Sequence, residues 1–116
     1  MARSRRKVAE VVWSPAAERD LTRIHEFFLA HSPRGASRVF ARVVHAVDML
    51  ALQPEIGAIV DDVMPAGRYR HVVVSPYRVI YRLKGSEVRV MRVWDSRRDP
   101  EDLHVAHRED QDIAPE

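Results

Sequence analysis

Residues 67–98 read GRYRHVVVSPYRVIYRLKGSEVRVMRVWDSRR, and this stretch decides the fold. Ser75-Pro76 and Lys84-Gly85-Ser86 cut it into three runs rich in β-branched and aromatic residues, 70–74, 77–83 and 87–94. Pro presets φ and Gly tolerates positive φ, so these cuts read as tight turns and the runs as strands of an antiparallel meander. Alternation in the middle run puts Tyr77, Val79, Tyr81 and Leu83 on one face and Arg78, Ile80 and Arg82 on the other. The apolar face must be covered, and the arginine face is expected to be open to solvent or a ligand. The last run is apolar on both faces, Val88, Val90 and Trp94 against Met91 and Val93, as suits a central strand. Simple alternation directs its Arg92 with Val88, Val90 and Trp94.

The cover is expected from upstream. Residues 8–13 form a β-branched run that stops at Ser14-Pro15, a helix cap followed by Pro in the first turn. Ala17, Leu21, Ile24 and Phe28 then recur at helical spacing, opposite Glu18, Arg19, Arg23 and Glu26. His31-Ser32-Pro33 interrupts this helix, and from Arg34 a second one presents Phe40, Val43, Val47 and Leu50 on one face until Gln53-Pro54 stops it. A break of three to four residues makes the pair an α-hairpin. Residues 57–67 show little periodicity and are expected to form a surface loop, with a fragment of strand at Ile59 and Val60.

The expected class is therefore α/β of the α+β type. An N-terminal strand, an α-hairpin and a three-stranded antiparallel meander form one small sheet with the helices on one face. At 116 residues the chain is expected to be a single domain. Its folded core is placed at about 8–103, between a basic extension at 1–7 and an acidic mobile tail at about 104–116. Residues 2–12 lack the apolar segment of a signal peptide, and no window approaches a membrane span, so a cytoplasmic protein without membrane contact is expected. The absence of cysteine excludes disulfides and thiolate metal sites.

Charge is sorted along the chain more than it is large. The formal net charge is +2, yet residues 64–98 carry nine basic and two acidic residues, while 99–116 carry one and seven. A basic sheet suits an acidic partner, either nucleic acid or an acidic protein segment; equally, arginines can simply solvate the outer face of a one-layer sheet.

Candidate chemistry centres on arginine. HExxH, P-loop, GxGxxG and GxSxG patterns are absent, and the six histidines offer only His104 and His107 at ligand spacing, so no metal and no cofactor are expected. Ser75 and Ser96 sit in turns without an identifiable base. Arg78 and the Arg97-Arg98 pair, by contrast, could converge at one end of the sheet and hold a phosphate while stabilising charge that develops on it. The competing reading pairs Arg97 or Arg98 with Asp95, Asp99 or Glu101. Tyr69, Tyr77, Tyr81 and Trp94 interleave with the arginines and could stack on bases; alternation sends Tyr77 and Tyr81 into the core and leaves Trp94 as the better surface candidate. Arg70, Arg82, Arg92, Trp94 and Arg98 are the expected binding surface for a target or a partner.

The order of signals resembles the RelE/ParE superfamily of bacterial type II toxin-antitoxin toxins. The resemblance is carried by VVWSPAAERDL at the first strand and helix, LALQPEIG closing the second helix, YRVIYRLKGSEVRVMRVW through the hairpin, and DSRRDP after it. It spans about residues 8–103 in a β-α-α-β-β-β order.

The resemblance implies a small growth-inhibiting protein in a hetero-oligomer with a cognate antitoxin, which wraps the toxin and blocks its target surface. Members divide between RelE-like toxins, which cut messenger RNA on the ribosome, and ParE-like toxins, which poison DNA gyrase. On the nuclease side Arg78 matches one catalytic arginine and Arg97 or Arg98 approximates the second. The tyrosine that commonly follows falls here on Leu103 or His104, leaving His104 as the substitute proton carrier. That departure and the long helical hairpin lean toward the ParE-like side, a gyrase-binding inhibitor. A metal-independent endoribonuclease using Arg78, Arg97 and His104 is the alternative, and an inactive relative that binds only its antitoxin is a third.

Overall fold

The computed structural model describes residues 8–105. The expected N-terminal extension and most of the expected tail, including His107, lie outside that range. Eight elements follow in order: β1 Glu10–Trp13, α1 Pro15–His31, α2 Pro33–Leu52, β2 Ala58–Ile59, β3 Tyr69–Val74, β4 Tyr77–Lys84, β5 Glu87–Asp95 and a 3-10 turn at Pro100–Asp102. The strands form one sheet in the order β1-β5-β4-β3-β2. β1 runs parallel to β5, and the other pairs are antiparallel.

Capping fixes the entry to the hairpin. The Ser14 hydroxyl accepts from the Ala17 N–H at 3.0 Å and donates to the Met91 carbonyl at 2.8 Å, so one buried side chain starts α1 and ties it to β5. The break between the helices is the single residue Ser32, shorter than the sequence suggests. Its backbone N–H donates to the Phe28 carbonyl and its hydroxyl accepts from Gly35 N–H at 3.1 Å, so one residue ends α1 and caps α2. Pro33 at the first position of α2 costs no hydrogen bond there.

The hairpin packs on one face of the sheet. Ala17, Val43, Val47 and Leu50 meet Tyr77, Val79, Tyr81, Val88, Val90 and Val93 in the larger core. The α2–β2 connection is pinned onto this face. The Tyr81 hydroxyl donates to the Pro54 carbonyl at 2.7 Å and accepts from Gly57 N–H at 2.9 Å. A Cβ on Gly57 would stand 2.6 Å from that hydroxyl and 2.7 Å from the His71 carbonyl, so glycine is required there by close approach. This clamp gives the LALQPEIG segment its physical role.

Two expectations about the sheet are corrected. The register slips between Ile80 and Tyr81, which pair with Arg92 and Val90, so Met91 is the extra residue of a bulge. The slip reverses the alternation beyond it: Val93 joins Val88 and Val90 on the helix face, while Trp94 joins Met91 on the other. Arg92 therefore does not share the face of Val88 and Val90. The outer face, expected to be open, is in part a second core. Val60 and Val63 from the segment after β2 and Leu103 after the 3-10 turn cover Tyr69, Ile80, Met91 and Trp94. β2 adds a fifth strand close to the expected fragment. Leu103 is buried, and the His104 carbonyl accepts from Arg92 at 2.8 Å, so ordered structure runs to the edge of the expected tail.

Candidate binding surface

Most of the arginines that make the sheet basic are engaged by this chain's own groups. Arg78 donates through both terminal nitrogens to Asp62, at 2.8 and 3.0 Å, and through Nε to His71 Nδ1 at 2.8 Å. This two-pronged grip is the geometry in which guanidinium holds carboxylate or phosphate. The hydrogen bond from Arg78 keeps the Asp62 carboxyl below its ordinary pKa. Burial, followed by the Arg78 charge, lowers the pKa of His71. His71 is thus held neutral at pH 7, with Nδ1 accepting and Nε2 carrying the proton.

Arg92 is held still more firmly. Its Nε and one terminal nitrogen reach the two oxygens of Asp20 at 2.7 and 3.0 Å, and Asp20 also accepts the Val93 N–H at 3.0 Å. β1 pairs with β5 only as far as Val90, so the backbone donor of Val93 needs another acceptor, and Asp20 from α1 supplies it. Asp20 was not evident as a site residue in the sequence. Its signal was a carboxylate next to the apolar stripe of Ala17, Leu21 and Ile24.

The other candidates separate in the same way. Arg70 donates to the carbonyls of Glu55 and Gly57 at 3.1 and 2.8 Å and so belongs to the clamp beside Tyr81. Arg82 lies half-buried on β4, paired in register with Tyr69 and Arg89. Trp94, expected at the surface, is only 2% exposed because the bulge turns it under the 60–63 segment. Arg92 and Arg98 lie over its ring at 5.4 and 4.3 Å. His104 is exposed and contributes its backbone carbonyl to Arg92.

Arg97 folds back onto Asp95, with side-chain bonds of 2.9 and 2.7 Å, and this contact lowers the Asp95 pKa. Together with Arg98 it rims a groove of about 220 Å³ between α1 and the end of the sheet, whose wall also includes the carboxylates of Asp20 and Asp95 beside Arg23, Ile24, Phe27, Tyr77 and Val93. Arg78 is not part of that groove; its partners Asp62 and His71 sit on the other side of the sheet. Arg78 is, however, the register partner of Trp94, which carries Arg98 on its ring. Among the described residues no group of three or more His, Asp or Glu could hold a metal ion, and no helix is long and apolar enough to cross a membrane.

This architecture, two helices on one face of a five-stranded mixed sheet, is that of the RelE/ParE toxins. Residues 11–100 match the family described as the ParE toxin of the type II toxin-antitoxin system parDE. The chain is 35% identical over 86 residues to Toxin RelE2 of Caulobacter vibrioides, spanning 74% of this chain and 93% of that protein. It is also similar to a solved structure titled as the chromosomal ParDE toxin-antitoxin system from P. aeruginosa. The TM-score is 0.64 at 21% identity, covering 76% of this chain and 96% of that one. The chain belongs to the ParE toxin family and is a toxin of a type II toxin-antitoxin system, which implies a cognate antitoxin as its partner.

Proposed function

We propose that the protein arrests growth by binding DNA gyrase, and that the cognate antitoxin relieves the arrest by covering the toxin's target surface. One observation carries the preference over RNA cleavage: the three groups a nuclease would use are not assembled. Arg78 is neutralised by Asp62 on the outer face of the sheet, and Arg97 is neutralised by Asp95 on the helix side. His104 lies beyond Leu103 with its carbonyl bound to Arg92. General acid–base cleavage of a phosphodiester needs a proton carrier and charge stabilisers converging on one phosphate.

Ribosome-dependent messenger RNA cleavage is the second reading, supported by the adjacency of Arg78, Trp94 and Arg98. Purified protein added to gyrase and to translating ribosomes separates the two. Blocked supercoiling with intact messenger RNA is the expected result. Codon-dependent cuts with normal supercoiling would reverse the assignment, and normal growth on induction of soluble, intact toxin without antitoxin would remove both.

A further inference from the structure

Two arginine–aspartate forks share one bond geometry but differ in what their carboxylates do. The side chains of Arg92 and Arg78 are both 14% exposed, whereas that of Asp20 is 7% exposed and that of Asp62 is 49% exposed. Asp20 lies inside α1 and also accepts the Val93 N–H, so it joins helix to sheet. Asp62 stands in the segment between β2 and β3. Among the described residues its carboxylate takes hydrogen bonds from Arg78 and from no other residue.

Arg78 does not depend on Asp62 for its pose. β4 fixes its backbone and His71 Nδ1 accepts its Nε at 2.8 Å, which leaves both terminal nitrogens aimed at the carboxylate. Val60, Val63 and Leu103 roof Tyr69, Ile80, Met91 and Trp94, but Val73, the register partner of Arg78 on β3, is 64% exposed. The approach to the fork is open on that side. On the other side Arg98 is exposed and lies over the ring of Trp94, the register partner of Arg78 on β5.

We propose that Asp62 is a built-in latch on a phosphate-binding site at Arg78, a carboxylate tethered to the chain in the place of the ligand. A guanidinium fork takes carboxylate and phosphate in the same two-pronged way, so the tethered carboxylate competes directly with a phosphate. An ion pair with one partner half-exposed is weak, so an incoming phosphate can displace Asp62 while His71 keeps the fork aimed. The ligand is a phosphate group, carried by a nucleic-acid strand or free in solution. Opening the latch provides binding and not cleavage, because Arg97 stays on Asp95 and the His104 carbonyl stays on Arg92. The inference goes beyond the gyrase reading and does not depend on it.

The test uses the full chain, with a fluorescent single-stranded oligonucleotide followed by anisotropy and inorganic phosphate titrated by calorimetry. Asp62→Asn should bind at least one of the two probes about tenfold more tightly than the parent, as when the closed latch leaves about a tenth of the sites competent. A gain confined to inorganic phosphate assigns the site to the free anion, and a gain with the oligonucleotide assigns it to a strand. Asp61→Asn makes the same change in charge one residue away and should gain far less. Adding Arg78→Lys to Asp62→Asn keeps the cation but removes the fork, and should return affinity to near that of the parent. Circular dichroism confirms that each variant is folded, and Arg78→Gln replaces Arg78→Lys if the latter is not. No gain in Asp62→Asn with either probe, an equal gain in Asp61→Asn, or a gain that survives loss of the fork would each overturn the proposal.

Discussion

The outer face of the sheet and the groove at α1 both carry arginines, but in opposite states. On the outer face Arg78 is gripped by Asp62 and His71, and at the neighbouring edge Arg92 is gripped by Asp20 and the His104 carbonyl. In the groove Arg97 is held by Asp95 but largely exposed, Arg98 lies on the Trp94 ring with its charge acting on Asp95, and Arg23 has no partner among the described residues. A run of basic residues in a sequence is therefore not the same thing as a basic surface. Where a loop supplies carboxylates and apolar cover, arginine becomes part of the packing and its charge is spent internally. Only where the cover stops is charge left for a partner.

The largest expected effect comes from Trp94, which the outer face buries against Ile80, Met91 and Leu103. Trp94→Ala should cost about 4 kcal/mol in denaturant unfolding, the range for deleting a buried aromatic. A loss below about 1 kcal/mol would mean that the outer face is not a core, and the contrast between the two regions would fail.

Next comes Asp20, 6% exposed and the acceptor for both Arg92 and Val93 N–H. Removing it strands a half-buried cation and a backbone donor together, so Asp20→Ala should cost about 3 kcal/mol. Arg23→Ala, measured beside it, should change stability by no more than about 0.5 kcal/mol. Equal losses would erase the distinction between engaged and available arginines.

How far the sequence reveals this arrangement depends on the kind of information involved. The hairpin and the meander are legible because Ser14-Pro15, Ser32-Pro33, Ser75-Pro76 and Gly85 act within a few residues of themselves. Gly85, for example, adopts φ of +59°, as the first residue of a two-residue hairpin turn requires. The bulge at Met91 is not legible, because it arises from pairing across β4 and β5 and from the Ser14 hydroxyl, 77 residues away. That one residue reverses the facing of Trp94. Arg78 and the Arg97-Arg98 pair stand out by type, but Asp62 and His71 do not: one lies in a segment without periodicity, the other among valines. Their meeting with Arg78 depends on how the segment after β2 lies across the sheet.

Acidification probes the engaged cluster through two groups. His71 has a lowered pKa in the fold, so the unfolded chain takes up its proton first, and stability should fall as pH drops below the ordinary histidine value of about 6.5. Asp62 and Asp95 also have lowered pKa values, so their contributions are fully present above the ordinary carboxylate range and disappear as pH falls through the folded-state values. Melting temperature should therefore decline first between about pH 6.5 and 5, and His71→Gln should flatten that first decline. An unchanged slope in His71→Gln would remove histidine from the account.

A small stability effect, well below that of Asp20, is expected at Asp62, whose side chain is 49% exposed. Asp62→Asn should cost less than about 1 kcal/mol because solvent screens the pair. It would nevertheless release the Arg78 fork, and a gain of phosphate binding without messenger RNA cleavage is the expected readout.

The most direct test of the central claim compares the parent protein with Arg78→Ala in a gyrase supercoiling titration, with translated messenger RNA followed in parallel. A gyrase-binding toxin whose Arg78 serves the packing of the outer face should block supercoiling in both forms, after correction for any loss of folded protein, and should leave messenger RNA intact. Normal supercoiling together with codon-dependent cuts that fall about a hundredfold or more in Arg78→Ala would contradict the account and place Arg78 in an active site.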